Sequence, residues 1–316
     1  MFLKKSILLF FLFCGINLIQ AAGPIEFTFR NPNDGTELSA TLEEPVGAYQ
    51  KIVIIIPGSG PDDRSVHPKL AAQLLESGMA VCRFDDRGTG KSKGRYGEAT
   101  IQDFTYDLLG LFDYLRTSEA FAERQIGFLG HDEGGLLALN ALGMEATPAF
   151  LVLLGTPAMS CERIIFDQTE SSLNARWQFG DETPQETRTY LVEIHKILRK
   201  DLPKKATKKE IQAYLKANGI KYKVNKFLTP YYRYYIDFDP TETLRFLKVP
   251  TLYLVGEEDE FMQSKQNIKR IWATGNAFIE YEPLPGLQHY LQASGDQIYE
   301  MSPKALKKIC DWLATQ

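Results

Sequence analysis

The segment Gly130 to Gly135 carries the strongest chemical signal in the sequence, because its glycines surround a short polar run. It follows the β-like run Gln125 to Leu129 and opens a helical pattern. Glycines on both sides of one polar residue are typical of a tight strand-turn-helix that lifts a reactive side chain above the sheet edge. The helix N-terminus stabilises negative charge there. The pattern therefore places Asp132 at the position of a nucleophile, although an aspartate that only caps the turn would have the same neighbours.

An acid and a base follow later in the chain, each close to the end of a β-like run. Asp259 comes after Thr251 to Val255, and His289 comes after Phe278 to Tyr281. Nucleophile, acid and histidine thus occur in the order that many catalytic triads on a parallel sheet use. We therefore expect a hydrogen bond between Asp259 and His289, with Asp132 on the other side of the imidazole.

The loop Pro57 to Pro61 follows the β-branched run Lys51 to Ile56. A loop in this place can supply a backbone N–H that stabilises a developing oxyanion, together with the N–H of the residue after the nucleophile. The expected donors are the backbone amides of Ser59, or Gly60 beside it, and Glu133. A plain tight turn is the alternative interpretation of the same loop.

The other histidines and cysteines predict no metal centre, because their spacing matches neither a zinc site nor a disulfide framework. Structural roles are expected for His67, His131 and His195, and for Cys82, Cys161 and Cys310. Cys82 lies within an apolar run and is expected to be a small core residue.

The run Gly88 to Ser92 imitates the end of a phosphate-binding loop. That loop needs a glycine where this chain has Asp85, whose carboxylate would repel phosphates. We therefore expect neither a nucleotide nor another cofactor. Asp85, Asp86 and Arg87 are expected to form a structural ion-pair cluster beside the site.

Short β-like runs alternate with helical patterns, which predicts an α/β fold with a mostly parallel sheet between two helical layers. Ile25 to Arg30 and Glu37 to Leu42 alternate more clearly and suggest an antiparallel start to the sheet. From about residue 160 to 235 the chain loses its strands and becomes polar and helical. We predict one α/β domain over residues 23–316 with a helical lid insertion at about 160–235.

The N-terminus departs from the ordinary composition of the rest. Lys4 and Lys5 precede the apolar run Ile7 to Phe13, and Ala21 and Ala22 offer small residues for cleavage. The run is shorter than the ~20 apolar residues of a spanning helix. We expect a signal peptide over residues 1–22 and export to the periplasm or the medium, with no stable membrane insertion after cleavage. A membrane anchor, or lipid attachment at the cysteine of this segment, are the alternatives.

The length of 316 residues suits a single large core, and the formal net charge of −4 argues against a nucleic-acid partner. This mild acidity indicates no class of partner by itself, and we expect a small-molecule substrate from the site residues. The motifs that carry a family resemblance are IPGSGPDDR, FDDRGTGKSKG, GHDEGG, GEEDE and LPGLQHYLQ.

In this order the motifs resemble those of bacterial α/β-hydrolases of the serine aminopeptidase-like and carboxylic-ester hydrolase type, from about Ile25 to Trp312. The resemblance implies the α/β-hydrolase fold, a lid between two late strands, Asp259 as triad acid and His289 as base. Where those relatives carry the nucleophilic serine, this chain has Asp132.

An aspartate at the elbow leaves three chemistries open. Asp132 could attack a saturated carbon, as in epoxide opening or halide displacement, and form an alkyl-enzyme ester that water activated by His289 then cleaves. His289 could instead activate water against a carboxylic ester, with Asp132 only assisting. The chain could also be a non-catalytic binding protein that kept the pocket.

The residues around Asp132 bear on these alternatives. Glu133 follows it where dehalogenases often carry a halide-binding tryptophan, which weakens the dehalogenase hypothesis. Tyrosines that could donate to an opening epoxide oxygen are available in the lid, namely Tyr190, Tyr214 and Tyr222, although packing is the expected role of a tyrosine there. Burial beside a second carboxylate would raise the pKa of Asp132, whereas the elbow helix and a charged His289 would lower it.

Overall fold

The computed structural model describes residues 23–170, 179–180, 182–200 and 202–316. The predicted signal peptide lies outside the described residues and stays a prediction. Within the described ranges, none of the helices is both long and apolar enough to cross a bilayer.

The described residues form one eight-stranded sheet, in the order β1-β2-β4-β3-β5-β6-β7-β8. Its strands are β1 (Ile25–Arg30), β2 (Glu37–Glu43), β3 (Lys51–Ile56), β4 (Ala80–Phe84), β5 (Gln125–His131), β6 (Leu151–Leu154), β7 (Thr251–Gly256) and β8 (Ile279–Leu284). β2 pairs antiparallel with β1 and β4, and all other pairs are parallel. The predicted antiparallel start to a mostly parallel sheet is confirmed.

Ten α-helices accompany the sheet in the described residues. They are α1 (Pro68–Glu76), α2 (Ile101–Thr117), α3 (Glu133–Gly143), α4 (Cys161–Glu170), α5 (Pro184–Leu198), α6 (Lys204–Ala217), α7 (Pro230–Tyr235), α8 (Thr241–Phe246), α9 (Ser264–Thr274) and α10 (Pro303–Ala314). α2 begins at a capping box in which Thr100 and Asp103 each satisfy the other's backbone amide.

The strand β3 shows why the sheet needs helices on both faces. Ile52, Ile54 and Ile56 pack into one apolar cluster with side chains of α2 and α3. Val53 and Ile55 pack into another, on the opposite face, with side chains of α1 and α10. Successive side chains of a strand point to opposite faces of the sheet. A continuous run of β-branched residues is therefore typical of a strand that is covered on both faces.

Helices α4 to α8, called here the helical segment, lie between β6 and β7 in the chain. The segment has an apolar cluster of its own, which includes Leu191, Ile194, Ile211, Leu215 and Phe227. The predicted stretch without strands thus corresponds to α4 to α7. Its role as a lid stays a prediction.

Candidate active site

The turn between β5 and α3 has the geometry that the glycine pattern predicts. Asp132 stands at its apex with φ 50° and ψ −115°, a strained conformation for a residue with a side chain. A Cβ on Gly134 would lie 2.3 Å from the Ile56 carbonyl oxygen, and one on Gly130 would lie 2.5 Å from the Gly134 carbonyl oxygen. Only glycine therefore allows the backbone segments to approach this closely.

The structure brings the three predicted side chains together at the carboxyl ends of β5, β7 and β8. His289 Nδ1 is hydrogen-bonded to Asp259 Oδ2 at 2.9 Å, as predicted. On the other side of the ring, His289 Nε2 lies 3.9 Å from Asp132 Oδ2. The remaining oxygen of Asp259 accepts hydrogen bonds from the amides of Phe261 and Met262. These bonds fix the carboxylate that orients the imidazole.

The loop after β3 lies against the elbow. The Ser59 hydroxyl donates a hydrogen bond of 2.9 Å to Asp132 Oδ2. The loop itself is held by the Gly60 amide, which donates to the Tyr96 hydroxyl at 3.0 Å. Glu133 is the first residue of α3, so its amide belongs to the N-terminal turn of that helix. Glu133 thus follows Asp132 in the chain and Ser59 contacts it through its hydroxyl, whereas the role of their two amides in catalysis stays a prediction.

A cavity of about 410 Å³ opens beside Asp132 and His289. Its floor includes Ser59, Asp132, Glu133 and His289, and Phe261, Met262 and Tyr290 form one wall. The helical segment supplies Gln168, Lys226, Thr229, Tyr231, Tyr232 and Tyr235. The cavity is therefore lined by residues at the edge of the sheet and by residues of the helical segment.

Comparisons with known proteins agree with this architecture. Residues 47–189 match the family model described as serine aminopeptidase, S33. Over 210 residues the chain is 28% identical to a proline iminopeptidase of Thermoplasma volcanium, a match that spans 60% of this chain and 68% of that protein.

Solved structures share the architecture at low sequence identity. An esterase of Pyrococcus furiosus superposes with a TM-score of 0.61 at 16% identity, over 93% of this chain and 92% of that chain. A thermophilic esterase of Thermogutta terrifontis, solved with malate bound, superposes with a TM-score of 0.57 at 20% identity, over 93% and 99% of the two chains. The protein has the α/β-hydrolase fold. The predicted fold class is thus confirmed, and the family match together with these neighbours supports a hydrolase.

The electrostatics of this α/β-hydrolase differ from those of a site with a neutral nucleophile. Burial disfavours the charged form of His289, but the charges of Asp259 and Asp132 outweigh it and raise the pKa of the imidazole to about 10. Burial also opposes ionisation of Asp132, yet His289 and the Ser59 hydroxyl lower its pKa to about 2. At Asp132 the interaction with His289, which lowers the pKa, therefore outweighs burial, which raises it. At neutral pH an imidazolium faces the ionised Asp132.

His131, the residue before the nucleophile position, supports the backbone of His289. Its Nε2 lies 3.1 Å from the His289 carbonyl oxygen. Burial lowers the pKa of His131 to about 4, so the ring is neutral and its Nε2–H donates to that carbonyl. His67 packs edge-on against His131 and is buried as well. Both rings lie outside the cavity lining, which agrees with the structural roles expected for them.

The lid tyrosines that the sequence offered as possible donors do not line the cavity. Tyr190, Tyr214 and Tyr222 pack against the apolar cluster of the helical segment. The cavity is lined instead by Tyr231, Tyr232 and Tyr235 of α7. The signal that could have found them is their spacing, since residues four apart share one face of a helix, and the rings of Tyr231 and Tyr235 stack 5.5 Å apart.

The expected cluster of Asp85, Asp86 and Arg87 is also wrong. Asp85 pairs with Arg64 at 2.7 Å, whereas Arg87 pairs with Asp107 at 2.7 Å. Asp86 accepts a hydrogen bond from the Asp62 amide, and burial raises its pKa to about 8. Each of the three side chains thus has its partner elsewhere in the chain and none pairs with another of the three. Through Asp62 and Arg64, the two carboxylates anchor the loop that carries Ser59.

Proposed function

We propose that this α/β-hydrolase opens a small epoxide at a saturated carbon, with Asp132 as the nucleophile. The observation that supports it is the pairing of an ionised Asp132 with an already protonated His289. A carboxylate of such low pKa needs no base in order to attack. An imidazolium cannot remove a proton from water, so direct activation of water by His289 in the free protein is disfavoured.

In the first step a carboxylate oxygen of Asp132 attacks one ring carbon, and the bond between that carbon and the epoxide oxygen breaks. The oxygen leaves as an alkoxide and takes a proton from a cavity tyrosine. Tyr231 suits this role because it lines the cavity and its hydroxyl is buried beside Glu133. Burial and the charge of Glu133 raise the pKa of Tyr231, which keeps its proton in place until the alkoxide forms.

The second step uses the change of charge that the first step causes. Once Asp132 is an ester it no longer carries the charge that keeps His289 protonated, so the pKa of the imidazole falls. His289 returns its proton to the Tyr231 phenolate and becomes a neutral base. It then activates water against the Asp132 carbonyl carbon, and the oxyanion faces the amides of Ser59 and Glu133. Collapse releases a diol and restores the carboxylate and the imidazolium.

Displacement of a halide from an alkyl halide is the weaker variant of this proposal. A departing halide needs donors or positive charge around it, whereas Glu133 contributes a carboxylate to the cavity floor. An epoxide oxygen needs only one proton donor, which Tyr231 provides.

A second candidate function is hydrolysis of a carboxylic ester or peptide-like substrate without a covalent intermediate. The match to the serine aminopeptidase family favours it. Water would attack the bound carbonyl with His289 as base, and Asp132 would only assist. Because His289 must then lose its proton first, the rate should rise with pH up to about 10.

A single turnover in H2¹⁸O separates the alkyl-enzyme route from direct attack by water on an epoxide, and ester turnover that Asp132→Asn retains but His289→Ala loses would favour the second candidate. With styrene oxide and protein in excess, the alkyl-enzyme route leaves ¹⁸O in the Asp132 peptide and none in the first diol. Direct attack by water puts ¹⁸O in the product and none in the peptide. Asp132→Asn is the matched control, since it keeps the shape of the side chain and removes its charge. Saturable binding of esters and epoxides without turnover would support the binding-protein alternative.

We also propose that the chain is exported and that the helical segment controls access to the cavity. The N-terminal pattern of charged, apolar and small residues supports the first point. The contribution of α4 and α7 to the cavity lining supports the second. Sequencing the N-terminus of protein recovered from the periplasm, with a start near residue 23, tests the export proposal.

A further inference from the structure

The helical segment concentrates positive charge in a protein that is acidic elsewhere. Residues 196–226 contain eleven Lys and Arg residues but only two Asp and Glu residues, so this stretch has a formal net charge of +9. The whole chain has a formal net charge of −4, which leaves −13 for all the other residues. The charge of the protein is therefore strongly polarised, with one basic stretch in an acidic chain.

Helix α6 exposes much of this charge to solvent. Its side chains Ile211 and Leu215 are buried in the apolar cluster of the helical segment. Lys205, Lys209 and Lys216 are four and seven residues apart, so they share the opposite side of the helix, and all three are exposed. These three lysines are called here the basic face.

The charge of the basic face is not neutralised by neighbouring carboxylates. Glu210 is the one acidic residue of α6, and its carboxylate pairs with Lys200. Within the described part of the chain, the three lysines of the basic face form no ion pair. Lys221 and Lys223 are exposed as well and extend the charge beyond the end of the helix. The basic face is therefore available to an external anion.

The type of cation indicates the type of anion that this surface fits. Residues 200–226 contain nine lysines and no arginine. Arginine binds a phosphate or carboxylate through a planar fork of fixed geometry, whereas lysine is a flexible, strongly hydrated point charge. Lysines therefore suit a diffuse layer of anionic lipid headgroups better than the fixed geometry of a nucleic acid or a folded protein. Tyr222, half-buried and between two lysines in the chain, has the apolar ring and polar tip typical of membrane interfaces.

We propose that the basic face of α6, together with Lys221 and Lys223, docks on a membrane surface that carries anionic phospholipids. The attraction is electrostatic, because the exposed side of α6 carries lysines and no large apolar side chain that would insert between the lipids. The short helix Val224–Leu228 follows directly, and its Lys226 lines the cavity. Docking thus brings a part of the chain that borders the cavity close to the lipid surface. The inference goes beyond the proposed reaction and does not depend on it.

Binding of the full chain to lipid vesicles tests the inference. Co-sedimentation is compared for vesicles of phosphatidylcholine alone and vesicles that contain phosphatidylcholine and phosphatidylglycerol in equal parts. We expect tighter binding to the anionic vesicles. Raising NaCl from about 0.1 M to about 1 M should remove the difference, because the Debye length falls from ~10 Å to ~3 Å. Equal binding to both kinds of vesicle, or a difference that salt does not weaken, overturns the proposal.

Variants of the basic face locate the contact. Lys205→Gln, Lys209→Gln and Lys216→Gln together should weaken binding to the anionic vesicles on the order of 10²-fold, since each lysine near such a surface contributes about fivefold. Glutamine has nearly the helix propensity of lysine, so the fold of α6 is preserved. Replacing the same three lysines with arginine keeps the charge and should retain the binding. Any contribution of the N-terminal apolar run would be the same in all these variants.

A matched control removes the same charge from another surface. Lys265→Gln, Lys269→Gln and Arg270→Gln on α9 delete three exposed cations and should leave vesicle binding unchanged. Equal losses in the two triple variants would overturn the proposal, because binding would then follow the net charge of the protein. Tighter binding to duplex DNA than to the anionic vesicles would overturn a lipid surface as the partner. Because no arm needs turnover, failure of the ¹⁸O experiment would overturn the proposed reaction alone.

Discussion

His289 Nε2 lies 3.9 Å from Asp132 Oδ2, which is the distance of an ion pair and longer than that of a hydrogen bond. In a serine site the corresponding contact passes a proton from nucleophile to base. Here the nucleophile position has no proton to give, and the base is already charged. The same arrangement of side chains therefore favours a different first step.

Replacing Asp132 with Asn should lower the pKa of His289, because one of the two carboxylates that hold the proton is removed. We expect a fall of one unit or more, where one unit corresponds to ~1.4 kcal/mol. The measurement is an NMR titration of the His289 ring in both proteins. Asp113→Asn, a change in an exposed surface pair, is the control. An unchanged His289 pKa would show that Asp259 alone keeps the imidazole charged.

The same pair makes stability depend on pH. The pKa of His289 is raised from 6.5 to about 10 in the folded protein, so its contribution is complete below pH 6.5 and is lost as the pH rises towards 10. Urea unfolding across this interval should show the wild type losing more stability than Asp132→Asn. Parallel curves for the two proteins would contradict the ion pair as the cause.

Replacing Asp132 with Ser should create esterase activity, because it restores a serine elbow without altering Asp259, His289 or the proposed oxyanion amides. Without the Asp132 charge, His289 can become neutral and act as a base. Oxyanion stabilisation and base catalysis each contribute on the order of 10²-fold, so activity on a small activated ester should exceed that of the parent. Labelling by an organophosphorus probe checks the nucleophile. A folded variant without added activity or labelling would move the binding-protein alternative to first place.

Two glycines of α3 provide a matched test of the elbow. Gly134→Ala should destabilise the fold by ~1–3 kcal/mol through overpacking, because its Cβ would lie 2.3 Å from the Ile56 carbonyl oxygen. Gly143→Ala should be neutral or stabilising, since its nearest new contact, Thr243 Oγ1, is at an ordinary 3.5 Å. The measurement is the free energy of unfolding in urea. Equal effects of the two substitutions would mean that the turn can relax around a side chain.

The fold could be predicted closely from the sequence, because the residue patterns of single segments agree with the positions of those segments in the sheet. The β-like runs Ile25 to Arg30 and Lys51 to Ile56 coincide with β1 and β3. The side chains Asp132, Asp259 and His289 could be located because each follows a strand, and parallel strands end at one edge of the sheet.

Contacts across the helical segment could not be predicted in the same way. The partners of His195, which are Glu162 and Tyr232, come from other helices, and no periodicity specifies how α4, α5 and α7 pack. The pairing of Arg87 with Asp107 was missed for a related reason, since Asp107 belongs to α2 and is distant from Arg87 in sequence. The direction of the pKa shift at Asp132 could not be predicted from the sequence, because it depends on the distance between Asp132 and His289.

The helical segment leaves the sheet after β6 and returns at β7, and these two strands are direct neighbours. Its two ends are thus joined through adjacent strands, so exchanging the whole segment need not shift the register of any strand pair. Asp132, Asp259 and His289 lie outside the helical segment, whereas part of the cavity lining, Tyr231 included, lies within it. A new preference for substrates could therefore arise by replacing one contiguous stretch, while the elbow and the histidine stay untouched.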